Sequence, residues 1–115
     1  TGIKSLDVTI DCDNLDAREL GTMGIPARFD LCNIEGFEDT NGTMHPAEDV
    51  REKISALGFP IDDAVKDKPS IRLKIDKMFT GLLTGFPGNN NFILTVTENN
   101  GLSTTKTLKY YVPAN

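Results

Sequence analysis

The residues of this chain with the most chemical potential lie in two short stretches. The first is DCDNLDARE, which packs Asp11, Asp13, Asn14, Asp16 and Glu19 close together and invites a calcium reading. It does not fit an EF-hand loop. Counted from Asp11 as position 1, position 5 is Leu15, position 6 is Asp16 where glycine is needed, and position 12 is Thr22. A looser Ca²⁺ site is one alternative; acids at a strand end followed by a helix cap account for the same residues without metal. The second stretch, FEDTNGTMH, offers Glu38, Asp39, Asn41 and His45. His45 is the chain's one histidine and precedes Pro46, where starting a helix is a simpler role than catalysis. A dyad of His45 with Cys12 or Cys32 is compatible with the spacing. Cys12, however, falls at an apolar strand position, a poor place for a reactive thiolate. The same loop carries the sequon Asn41-Gly42-Thr43, relevant only in a host that glycosylates asparagine.

Other catalytic signatures are missing from the sequence. GxSxG, HExxH, the Walker A motif and GxGxxG do not occur. TGLLTGFPGNNN is glycine-bearing but lacks the lysine of a phosphate cradle. Paired carboxylates for glycoside hydrolysis are compatible with so many acids. Yet 115 residues forming a small sheet with two or three helices leave little room for a catalytic pocket. The chain is therefore expected to be no enzyme, with no catalytic, cofactor-binding or metal residues and no cofactor.

Binding is the remaining class. The net charge of −5 and the scattered single lysines Lys66, Lys68, Lys74, Lys77, Lys106 and Lys109 argue against nucleic acid. Sugars stack on exposed rings, but the chain has no Trp. Phe37, in the polar loop, and Tyr111, one of two adjacent tyrosines of which one must face outward, are the weak candidates for ligand contact.

These residues must be positioned by recognisable elements. IKSLDVTIDC alternates, with Leu6, Val8, Ile10 and Cys12 on one face and Asp7, Thr9 and Asp11 on the other, as in a half-buried strand. DNLDARELG predicts a helical turn capped by Asp13 or Asn14 and stopped by Gly21. ARFDLCNI predicts a second, short strand, and EGFEDTNGTMHP an exposed loop. HPAEDVREKISALGF is the clearest helix: Pro46 at its first position, Val50, Ile54 and Leu57 on one face, and Gly58 and Phe59 closing it. SIRLKID alternates as a strand. KMFTGLLTGF, capped by Asp76, places Met78, Phe79, Leu82, Leu83 and Phe86 on one helical face. Finally NFILTVTENNGLSTTKTLKYYV predicts a hairpin. Phe92, Leu94 and Val96 face the core from one strand, Leu108, Tyr110 and Val112 from the other, and a Thr-rich face meets solvent.

A single domain over residues 1–115 is expected, with one core. No apolar run is long enough to cross a bilayer, so no membrane contact by this domain is expected. The opening TGIKSLDVTID, without an initiator Met, predicts a place inside a longer chain. Cys12 and Cys32 are either a disulfide, if the chain is exported, or two buried free thiols; a metal site is the weakest option with one His and no CxxC.

GIKSLDVTID near the start and NNFILTVTENNGLSTTKTLKYYV at the end resemble immunoglobulin-like modules of uncharacterised surface or secreted lipoproteins of Bacteroidetes. The resemblance extends to ELGTMGI, DLCN, ISALGFPIDDAVKDKPSIRLKID and FTGLLTGFPG, and thus touches most of the chain, with structural motifs and no catalytic signature. It implies a mainly β, immunoglobulin-like antiparallel sandwich with helical insertions. The first strand and SIRLKID would share one sheet, FDLCN and the final hairpin the other, and KMFTGLLTGF would cross between them. The chain departs from that pattern in lacking the Cys–Trp–Cys core and in placing helix where middle strands belong. The alternative is an α+β layering with helices on one antiparallel sheet. The resemblance further implies an extracellular or cell-surface setting, anchored through a part not in this sequence. The expected role is a non-catalytic spacer or adhesion-type module whose partners are neighbouring domains of the same chain. A protein or glycan ligand fits the same setting, and the alternative function is a carbohydrate-binding module of a glycan-utilisation lipoprotein.

Overall fold

The computed structural model describes residues 2–73 and 83–114. Its elements are strand β1 (Ile3–Cys12), helix α1 (Ala17–Thr22), strands β2 (Arg28–Asp30), β3 (Phe37–Glu38) and β4 (Met44–His45), helix α2 (Ala47–Ala56), and strands β5 (Gly88–Glu98) and β6 (Ser103–Val112). Short 3-10 turns occupy Asp62–Ala64 and Leu83–Gly85. Strands β2, β1, β5 and β6, in that order, form a four-stranded sheet, and β3 pairs with β4 as a separate ribbon. All of these pairings are antiparallel.

The chain is thus mainly antiparallel β, but its strands are not distributed between two sheets as the resemblance implied. β1 bonds to β2 along one edge and to β5 along the other, so the first strand, the FDL segment and the final hairpin share one sheet. Each of these segments has one apolar parity. Lateral pairing therefore satisfies their backbone groups while placing all apolar faces on the same side. Of SIRLKID, residues Ile71 to Leu73 belong to no strand. The remainder of that segment, and the greater part of the KMFTGLLTGF helix, lie outside the described residues.

Strict alternation in β1 fails at one place. Ile3 opposes Glu98 while Ser5 opposes Thr97, so β1 has one residue more than β5 there. This bulge returns Ile3 to the core side, in line with Leu6, Val8 and Ile10, and all four are buried. Facing them are Phe92 and Leu94 of β5 and Phe29 of β2, in one continuous core that also takes in Leu20 of α1 and Val50 and Ile54 of α2. Burying each such aliphatic side chain stabilises the fold by about 1.5–3 kcal/mol.

α2 follows its sequence closely. Pro46 sits at the cap, one position earlier than expected, where its missing N–H costs nothing. Leu57 ends the helix, Gly58 takes φ +99°, and Phe59 folds back edge-on to Phe29 at 5.7 Å. The β5–β6 hairpin is closed by a bonded turn in which Gly101 N–H donates to Glu98 O at 2.9 Å and Glu98 N–H to Leu102 O at 2.8 Å. Gly101 alone in that turn takes positive φ, +92°, and so carries the bulge that lets a type I turn join twisted strands.

Candidate functional site

Two acids of DCDNLDARE, Asp13 and Asp16, are spent on structure. α1 is capped by Asp16, whose Oδ1 accepts from Glu19 N–H at 2.8 Å, and not by Asp13 or Asn14 as the sequence suggested. Those two face the start of β5 instead: Asn89 N–H donates to Asp13 Oδ2 at 2.8 Å, and the Asn14 amide donates to Pro87 O. Gly21 does not stop α1 but lies buried within it, with Asp39 and Phe37 packed where its side chain would be. Among the described residues, no group of three or more His, Cys, Asp or Glu is arranged to hold a metal ion.

The expected exposed loop around FEDTNGTMH proves to be an ordered ribbon built on Asp39. Its Oδ1 accepts from Asn41 N–H at 2.9 Å and Thr43 N–H at 3.0 Å. Its Oδ2 meets His45 Nε2 at 2.8 Å, with the Asp39 side chain only 3% exposed and that of His45 18%. The His45 hydrogen bond, then the Thr43 N–H, holds the Asp39 carboxyl below its ordinary range. Phe37 is not a free platform in a polar loop. It is half-buried, stacked on the His45 ring at 4.8 Å, and packed against the core.

Neither cysteine joins this histidine among the described residues. Cys12 lies at the end of β1 beside Asn91, and burial raises its thiol pKa. Cys32 lies near Leu6, its pKa raised by burial and then by Asp30. Leu6 and Cys12 are about 20 Å apart along an extended strand, far beyond disulfide reach. Both thiols are free, and each is half-buried instead of buried. A raised pKa keeps them protonated at neutral pH and weakly nucleophilic.

Three of the surfaces formed by the described residues bear most on binding. The first is an open cleft of about 390 Å³ between β2 and the ribbon, where Asp7, Asp30 and Glu35 stand with Arg28 and one side of Phe37. The second is an apolar groove of about 460 Å³ along the inner side of β6, lined by Leu73, Leu94, Val96, Lys106 and Leu108 among others. The third is the free edge of β6 itself. Tyr111 does face outward, 64% exposed, as its parity predicted. It stands on β6, at the opposite edge of the sheet from β2 and its cleft, so the fold does not bring Phe37 and Tyr111 into one platform. Sequence reasoning missed the β6 edge. Its signal was the long run of Thr and Lys in the last strand of the hairpin.

No family model, curated protein or solved structure matches this chain.

Proposed function

We propose that the chain is a non-catalytic extracellular module, a spacer or adhesion-type domain of a cell-surface protein whose partners are its neighbouring domains. The observation that carries this reading is the path of the chain through the sheet. β1 starts where Ile3 faces Glu98, beside the hairpin turn, and β6 finishes where Val112 faces Gly88, at the far end. Entry and exit are separated by a strand length of about 30 Å in a molecule measuring 45 × 31 × 20 Å, a layout that sets flanking segments apart. Protonated thiols and a histidine tied to Asp39 support a role without chemistry. In the same proposal, helices over one face of the sheet stand where an immunoglobulin-like sandwich has its second sheet; the shared core of β1, β2, β5, α1 and α2 favours that layering.

A second reading, carbohydrate recognition, is favoured by the cleft that sets three carboxylates and Arg28 beside Phe37. Screening the purified domain against an immobilised glycan panel, with and without Ca²⁺, separates the two. The spacer reading expects no reproducible hit. A hit abolished by Phe37→Ala or Tyr111→Ala overturns it in favour of recognition.

A further inference from the structure

The hydrogen-bond phase of the hairpin decides which backbone groups of β6 are free. Glu98 N–H donates to Leu102 O, so Glu98 and Leu102 are a bonded pair. Bonded pairs in an antiparallel ladder recur at every second residue. The register then makes Val96–Thr104, Leu94–Lys106, Phe92–Leu108 and Asn90–Tyr110 the bonded pairs. It follows that Ser103, Thr105, Thr107, Lys109 and Tyr111 direct their N–H and C=O groups away from β5. Among the described residues β6 ends the sheet, and these five residues are all exposed. Five outward-facing residues along a ten-residue strand are a long edge to leave open, because such an edge templates pairing with another strand.

Two further observations specify what this edge takes. Beside it runs the apolar groove of Leu73, Leu94, Val96 and Leu108, placed to receive alternate side chains of a strand laid along β6. The edge also carries Lys106 and Lys109 and no acid, in a chain of net charge −5. Among the described residues neither lysine is in an ion pair. A second copy of β6 adds only charge of the same sign, whereas an acidic strand meets complementary charge.

We propose that β6 is a docking edge for strand addition, and that its occupant is an extended, acidic segment of a partner protein. Alternate apolar side chains of that segment lie in the groove beside Leu108, and the carboxylates between them, on the other face of the sheet, meet Lys109. This deepens the interaction reading above and rests on it, but it is tested separately. The glycan screen can overturn the spacer role without touching this edge, and the reverse.

The probe is a blocked synthetic ten-residue peptide alternating valine with aspartate, titrated into the isotope-labelled domain. Its controls are a lysine-for-aspartate counterpart and a version N-methylated at alternate residues. Expected are saturable binding of the acidic peptide and slowed amide exchange at Ser103, Thr105, Thr107, Lys109 and Tyr111. The N-methylated peptide should bind about tenfold or more weakly, because it lacks the edge-facing donors. Thr107→Pro removes one outward N–H and no bond to β5, and it should weaken binding similarly while Thr107→Val does not. Lys109→Glu should favour the lysine peptide. Unchanged exchange at those amides at millimolar peptide overturns the proposal, as does indifference to N-methylation. Self-association of the free domain through the same amides overturns the assignment of an acidic partner.

Discussion

The two edges of the sheet are finished in opposite ways. At the β2 edge only Arg28 and Asp30 direct backbone groups outward, and the Asp30 carbonyl is taken by Asn33 N–H at 3.0 Å. The Asp30 side chain then turns inward: Leu6 N–H and Cys32 N–H donate to its Oδ1 at 3.0 and 2.9 Å. That edge is short, folded over and closed by a carboxylate. The β6 edge, on a strand of ten residues, has no covering strand among the described residues, and it carries lysines and no acid. The contrast shows how one sheet can end in a structural seam on one side and a surface fit for a partner on the other.

The largest test removes what both edges share. Phe92 is fully buried in β5, between β1 and β6, and Phe92→Ala should destabilise the fold by about 3–5 kcal/mol in urea unfolding. Both edges should then lose amide-exchange protection together. Next, Asp30→Ala breaks the β2 edge alone. It leaves two N–H groups unpaired and should cost about 1–3 kcal/mol by the same measurement, with exchange rising first at Leu6 and Cys32.

A proline pair sharpens the comparison at β6. Lys106→Pro deletes a donor to β5 and should cost about 1–3 kcal/mol, whereas Thr107→Pro deletes an outward donor and should cost less than about 1 kcal/mol. A larger cost for Thr107→Pro than for Lys106→Pro would mean that the phase of the ladder is the reverse of that described.

The smallest effect belongs to the ribbon flanking the β2 edge. The Asp39 carboxyl is held below its ordinary value of 3.8, so its ionised form is favoured by folding. Its contribution is fully present above that value and is lost as the pH falls through the lower, folded-state pKa. Backbone amide shifts of Asn41 and Thr43 should move in that acid window, before the sheet unfolds. Asp39→Asn should abolish the transition.

Most of the local structure was legible in the sequence, because alternation and helical spacing are short-range signals. β1, α2 and the β5–β6 hairpin are where their patterns put them, and Tyr111 faces the side its parity required. The failures have non-local causes. Asp13 and Asn14 looked like caps because capping is a local rule, yet their partners are Asn89 and Pro87, across the fold. The ribbon was hidden in a turn-rich segment because its strands are two residues each and its organiser is one carboxylate. Sheet order was illegible for a similar reason. Apolar parity says which side chains face the core, but nothing local says whether two such strands lie side by side or face each other.

The separation of Ile3 from Val112 has a mechanical consequence. β1 and β6 both run antiparallel to β5, hence parallel to each other, and the chain enters at the start of one and leaves at the end of the other. A pull applied through those two points is directed along the strands. It loads the β1–β5 and β5–β6 ladders in shear, so their hydrogen bonds must rupture together instead of peeling one by one. Resistance to such a load is governed by the rate of forced unfolding and not by equilibrium stability. A tether under flow would draw on that rate.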